Sequence, residues 1–162
     1  MELRCAGVTG ASSGVGQAGA LRLSGRGYRV FGWARTADRL DARQAEGDDG
    51  VMVMPVDVTR GGEIEPAYAR IESEHGPIEL LVNNAGVFQV REFVTQDLSP
   101  IDRILDTTLK GTVYCTRLLL PYLISRQKGR IINIASGRLP PGRRGARRVL
   151  RPRRRRFRTA SW

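Results

Sequence analysis

The chain has 162 residues, 41% of them apolar, and a formal net charge of +11; this is the size of a single domain with enough apolar material to fill a core. Its most apolar stretch, Val113 to Ile124, is too short to cross a bilayer and contains Arg117, and no segment reads as a signal peptide, so a cytoplasmic protein without membrane association is expected. Cys5 and Cys115 give neither a disulfide framework nor a metal-ligand spacing and are read as reduced, partly buried thiols, with no metal site expected.

The first predicted strand, Leu3 to Val8, breaks into Thr9-Gly10-Ala11-Ser12-Ser13-Gly14-Val15-Gly16, and a helix is predicted from Gly14 to about Ser24, stopped by Gly25 and Gly27. Alone, a glycine-rich turn is as readily an ordinary turn. Following an apolar run and opening a helical pattern, it reads as the phosphate cradle of a dinucleotide-binding unit. Gly10 lets the chain turn off the strand, Gly14 leaves no Cβ between backbone and pyrophosphate, and Gly16 lets helix and sheet approach. Ser12 and Ser13 add short donors, Val15 completes the turn, and the free N–H groups of the helix start face an anion.

Strands follow at Arg29 to Trp33 and Val51 to Val56, then an acidic amphipathic helix at Glu63 to His75. His75, the only histidine, is read as a helix-end residue with Gly76 just beyond it, not as a ligand or base. Ile78-Glu79-Leu80-Leu81-Val82 reads as a buried parallel strand, centred on Leu80 to Val82, running into Asn83-Asn84-Ala85-Gly86-Val87. Ser99-Pro100-Ile101-Asp102 predicts a helix start with a serine cap, proline first and an acid in the first turn. The last predicted strand is Arg130 to Ile134. This alternation predicts an α/β fold, a Rossmann-like doubly wound parallel sheet of five strands in the order 3-2-1-4-5.

Thr9-Gly10 to Gly16 together with Asn83 to Gly86 closely resembles the short-chain dehydrogenase/reductase (SDR) family, and Asp57-Val58, Leu109-Lys110-Gly111 and Gly129 to Ile134 leading to Ser136 match in the same order. The resemblance covers roughly residues 3 to 136 and implies an NAD(P)-dependent oxidoreductase transferring hydride between the cofactor and a small-molecule carbonyl or alcohol. It implies that Asp57 accepts a hydrogen bond from the adenine amino group, that the Val58 backbone lies beside it, and that Asn84-Ala85-Gly86 passes under the adenosine ribose. Asn83 is read as stabilising the sheet. At the end of the second strand, Ala34 stands where NAD-preferring members place an acid and Arg35 where NADP-preferring members place a base, so NADP is expected over NAD. The other reading of Arg35 is a solvated loop charge.

For catalysis the resemblance implies a serine that hydrogen-bonds the substrate oxygen and a tyrosine acid/base whose pKa is lowered by a lysine four residues on. Ser136 matches the serine. The sequence departs from the family after it, because Tyr28, Tyr68, Tyr114 and Tyr122 all precede Ser136, the lysines are Lys110 and Lys128, and no YxxxK pair follows. Thr108 replaces the asparagine that kinks the long helix and holds a water in the family; it offers one donor and no amide, and is read as solvated or bonded back along its helix. Turnover by this chain is therefore expected to be impaired. The family forms homo-oligomers, and nothing in the sequence fixes the assembly of this chain or its substrate.

Residues 1 to 136 hold 16 Lys and Arg against 16 Asp and Glu, whereas residues 137 to 162 hold 11 arginines and no acid. The expected division is an incomplete NAD(P)-binding Rossmann domain at 1–136 and an irregular Arg-rich tail at 137–162. The tail has no helical or alternating period and cannot build a core. Synonymous codons chosen for Val149-Leu150-Arg151 and Pro152-Arg153-Arg154 give tyrosine and lysine when the frame is shifted, with the tyrosine 13 residues after Ser136, the family's spacing; one further inserted base is needed to join the pieces. The tail is accordingly read as a shifted frame of a longer enzyme gene. The alternative treats the protein as a nucleotide-binding fragment whose arginines hold nucleic acid or other polyanions; with only Phe157 and Trp162 as aromatics in the tail, non-specific binding is expected, not a specific nucleic-acid site. In the SDR pattern further elements follow the serine, so the fifth strand is expected to be an apolar open edge prone to mispairing.

Overall fold

The computed structural model describes residues 4–35, 50–89 and 96–135. In chain order the elements are β1 (Arg4–Thr9), α1 (Gly14–Ser24), β2 (Tyr28–Ala34), β3 (Val51–Pro55), α2 (Gly61–His75), β4 (Ile78–Asn83), α3 (Leu98–Ile104), a π-helical segment (Leu105–Lys110), α4 (Gly111–Ser125) and β5 (Arg130–Asn133). The sheet is wholly parallel with the order β3-β2-β1-β4-β5, as the alternation predicts. Each predicted strand is present within two residues of its expected bounds. Where β3 and β5 end early, the ladder continues by single bonds from Val56 N–H to Ala34 O (3.1 Å) and from Ile134 N–H to Asn83 O (2.8 Å).

Side chains alternate across the strands, so the sheet buries two separate clusters. One face carries Cys5, Phe31, Trp33 and Leu81 against Tyr68 and Ile71 of α2 and Cys115, Leu119 and Leu123 of α4. The other carries Ala6, Val8, Val30 and Leu80 with Ala20 of α1. Both cysteines are free and more deeply buried than expected from sequence, at 1% and 0% exposure. Burial pushes the Cys115 thiol up to about 12 and raises Cys5 as well. His75 does end α2; its carbonyl accepts the Cys5 thiol at 3.2 Å and its ring lies 5.2 Å from Phe31.

One local expectation changes. Helix α3 starts at Leu98 with Asp97 as its extended N-cap, so Ser99 is not the cap and Pro100 is the third helical residue. Proline fits there because the first N–H groups of any helix lack an internal acceptor. Helix α1 ends at Ser24 as expected; its C-cap Gly25 keeps a helical φ of −61, and Gly27 is the one of the pair with positive φ. Thr108 is exposed, as one of its two readings has it, and is not bonded back along its helix: its hydroxyl lies 3.4 Å from both the N and the O of Val87. The back-bond belongs instead to Thr112, whose hydroxyl donates to Thr108 O at 2.9 Å. A π turn widens the helical repeat by one residue and so rotates the side chains along it, which carries Thr108 over the segment after β4.

Candidate cofactor-binding cleft

The carboxyl ends of β1, β2 and β4 border a cleft of about 530 Å³, at the point where the strand order reverses. Open parallel sheets bind ligands in this crevice. At its centre is the β1–α1 turn. Gly10 has φ +66, its N–H donates to Trp33 O at 2.8 Å, and a Cβ there would meet Ala85 Cα at 2.8 Å. A Cβ on Gly16 would collide with Gly10 O and Asn84 Nδ2. Gly16 therefore faces protein and does not line the cleft, whereas Gly14 does, and a Cβ on it would meet nothing within 4 Å. Ser12, Ser13 and Val15 also line the cleft. Ser13 is the extended N-cap of α1, its hydroxyl makes no capping bond, and Val15 is 67% exposed. The first N–H groups of α1 thus open toward the cavity with no internal acceptor.

The segment after β4 is fastened to this turn. Thr9 Oγ1, 2% exposed, accepts the N–H groups of Asn84 and Ala85, both at 2.9 Å. Asn84 Nδ2 donates to Thr9 O (3.1 Å) and Gly10 O (3.2 Å). The Asn84 side chain therefore holds the turn, while Asn84, Ala85 and Gly86 together line the cleft. Asn83 points elsewhere, donating to Thr116 Oγ1 (3.0 Å) and Asn133 Oδ1 (2.8 Å), which is the sheet-stabilising part read for it. Thr107, 8% exposed, also lines the cavity and is not marked by the sequence; its burial comes from the π-helical turn, which no local pattern signals.

At the other end, Ala34 and Arg35 of the β2 terminus face Asp57 and Val58 after β3. Burial pushes the Asp57 carboxyl upward, but hydrogen bonds from the Thr59 N–H (2.9 Å) and hydroxyl (2.8 Å), with the charges of Arg35 and Arg60, bring it below its ordinary value. It is an anion at neutral pH beside an exposed guanidinium. Ser136 lies outside the described residues. Among the described residues no tyrosine lines the cleft. Tyr68 is buried, donates to Cys115 O at 2.8 Å and has its pKa raised by burial, so it cannot act as an acid or base at the cavity. The lysines are also engaged elsewhere, Lys110 with Asp106 at 3.0 Å and Lys128 with Glu79 at 2.7 Å. No group of three or more potential metal ligands occurs among the described residues, and no helix among them is long and apolar enough to cross a membrane.

Comparison with known proteins agrees with this geometry. The NADP-dependent 3-hydroxy acid dehydrogenase of Salmonella typhi is 35% identical over 130 residues, covering 80% of this chain and 52% of that protein. An uncharacterized oxidoreductase of Staphylococcus haemolyticus is 31% identical over 134 residues, 82% of this chain and 58% of that one. The chain thus spans a little over half the length of the curated relatives it matches. Among solved structures, a metagenomic short-chain oxidoreductase in complex with NADP superposes with a TM-score of 0.76 at 31% identity, covering 84% of this chain and 63% of its own. A family model described as short chain dehydrogenase matches residues 4–141, and with that match the chain belongs to the short-chain dehydrogenase/reductase family.

Proposed function

We propose that the cleft binds NADP(H), preferred over NAD(H), and that the chain carries the cofactor-binding part of a cytoplasmic oxidoreductase acting on a carbonyl or alcohol substrate. The observation that carries this reading is the pairing at the adenosine end. Ala34 leaves no acid to meet a 2′-hydroxyl, while the Arg35 guanidinium stands at the same cavity wall, placed to meet a 2′-phosphate. Two features of the structure fit a dinucleotide here. The turn tolerates no Cβ at Gly10 or Gly16 without a clash, and the α1 N–H groups are directed at open space beside Gly14. Relatives described as NADP- or NADPH-dependent support the same choice.

When bound, the nicotinamide supplies or accepts the hydride. This chain's residues would hold the cofactor: the α1 N–H groups with Ser12 and Ser13 at the bridging phosphates, the Asn84 to Gly86 backbone at the ribose, and Asp57 and Val58 at the adenine. Ser136 would donate to the substrate oxygen. With no YxxxK pair after it, the 162 residues lack the acid/base that a carbonyl reduction needs, and turnover should fall by roughly 10²- to 10⁴-fold for that loss alone. Binding, not turnover, is the decisive experiment. Titration with NADPH and NADH, followed by nicotinamide fluorescence, should show tighter association of the phosphorylated form; equal affinities would remove the part assigned to Arg35.

A further inference from the structure

Asp57 is held from three sides, and the fixing groups lie outside the cleft. Its Oδ1 accepts both the N–H (2.9 Å) and the hydroxyl (2.8 Å) of Thr59, its backbone N–H donates to Glu63 Oε2 at 2.8 Å, and its carbonyl accepts Arg60 N–H at 2.9 Å. Glu63 is itself pinned in the first turn of α2, its N–H donating to Arg60 O at 2.9 Å and its Oε1 lying 3.2 Å from Arg60 Nη1. Thr59 and Glu63 do not line the cavity, whereas Asp57 does. Among the described residues Oδ2 makes no hydrogen bond. A carboxylate with one oxygen saturated and the other vacant is a fixed acceptor that can serve one donor from a ligand.

We infer that Thr59 and Glu63 are positioning residues that lock the Asp57 carboxylate so that Oδ2 reads the exocyclic amino group of the adenine, making the cleft selective for an adenine base over a 6-oxo purine. The inference rests on the cofactor reading above, which already sets Asp57 at the adenine, and deepens it by assigning the residues that hold that carboxylate in place. An amino group donates to Oδ2, whereas the 6-oxo oxygen of a hypoxanthine analogue presents a lone pair to a carboxylate and is repelled. A free aspartate rotates about χ1 and χ2 and can turn away from the wrong base. One whose Oδ1 is tied cannot do so without breaking the two bonds from Thr59, while the bond from its backbone N–H to Glu63 holds the main chain from which the side chain springs, so preorganisation converts a contact into discrimination.

The test is the affinity ratio for NADPH and its deamino form, which carries hypoxanthine in place of adenine, measured on the full 162-residue chain by nicotinamide fluorescence. The wild type should favour NADPH by about tenfold, the order expected of one hydrogen bond to a charged acceptor. Thr59→Val removes the hydroxyl but keeps the backbone donor, and should reduce the ratio to roughly threefold, with NADPH weakened and the deamino form bound no more weakly than by the wild type; Thr59→Ser should restore it. Glu63→Ala should act in the same direction as Thr59→Val, with Glu63→Gln, which keeps an oxygen acceptor for the Asp57 N–H, as its rescue. Binding of the deamino cofactor no weaker than by the wild type is the internal sign that a variant has folded. Equal weakening of both cofactors in Thr59→Val would make Thr59 a structural residue only and overturn the inference, as would an unchanged ratio. A wild type that binds both forms equally would overturn it too, with cofactor binding intact. A wild type that binds neither would instead remove the cofactor reading on which it rests.

Discussion

The Thr9 hydroxyl accepts the backbone N–H groups of both Asn84 and Ala85 at 2.9 Å, across more than seventy residues of sequence. One buried oxygen therefore fastens the end of β1 to the segment leaving β4 and sets the spacing between the two walls of the cleft. Thr9→Val keeps the shape and leaves two donors without their acceptor. A loss of about 2 kcal/mol is expected, at the middle of the range for orphaned buried groups because Asn84 and Ala85 are only half-buried. Urea unfolding checks it, and Thr9→Ser, which keeps the oxygen, should retain most of the stability.

The two glycines of the turn should fail in different ways. An alanine at Gly16 drives its Cβ into Gly10 O and Asn84 Nδ2, neither of which can withdraw without opening the turn, and should cost about 2–3 kcal/mol. An alanine at Gly14 meets no protein atom, but its φ of +57 is unfavourable to any residue with a Cβ, at about 1 kcal/mol. Stability measured by urea should therefore rank wild type above Gly14→Ala above Gly16→Ala. A reversal would mean that Gly16 is not the tight contact.

The parts of the fold legible in the sequence are those that short-range signals carry. The apolar runs mark the inner strands β1, β2 and β4, because a doubly covered parallel strand is apolar nearly throughout, whereas edge strand β5 shows only two apolar residues and leaves Ile132 exposed; the glycine spacing locates the turn because a backbone without room for Cβ leaves no substitute. The contacts that complete the cleft are not legible. Thr9 pairs with residues on another strand, Thr107 is buried by a π-helical turn, and Thr59 and Glu63 act on Asp57 through bonds that depend on where α2 begins. Asp97 takes the N-cap position of α3 in place of Ser99, without a side-chain capping bond, because Asp and Ser both favour that position and the local sequence does not choose between them.

Arg35 is the residue on which cofactor choice turns. Removing its guanidinium should weaken NADPH by about tenfold, the order of a charge-assisted bond on an exposed side chain, and leave NADH within about twofold. Parallel fluorescence titrations of Arg35→Ala with the two cofactors check this. Equal weakening of both would show that Arg35 supports the wall of the cleft instead of reading the 2′-phosphate.

All of the net charge of +11 lies in residues 137 to 162, since the preceding residues are formally neutral. Arginines at that density release counterions from any polyanion, so retention on a heparin or nucleic-acid column should fall steeply with salt. A chain ending at Ser136 should elute without retention at low salt. Retention that survives the deletion would place the polyanion contact on the Rossmann body and not on the tail.

Asp57 also gives the cleft a pH signature whose sign is fixed. Its carboxyl sits below the ordinary value of 3.8 in the folded chain, because the bonds from Thr59 and the charges of Arg35 and Arg60 outweigh the upward push of burial. A group depressed on folding contributes stability that is complete above its unfolded value and is lost as pH falls through its folded value. Asp57→Asn keeps an oxygen for Thr59 but loses the charge, so it should be less stable than the wild type at about pH 7. The difference should close as pH falls below 3.8. Urea unfolding of the pair at about pH 7 and about pH 3 measures it. A gap that persists unchanged at the lower pH would locate the stabilising effect in the shape of the side chain, with its charge playing no part.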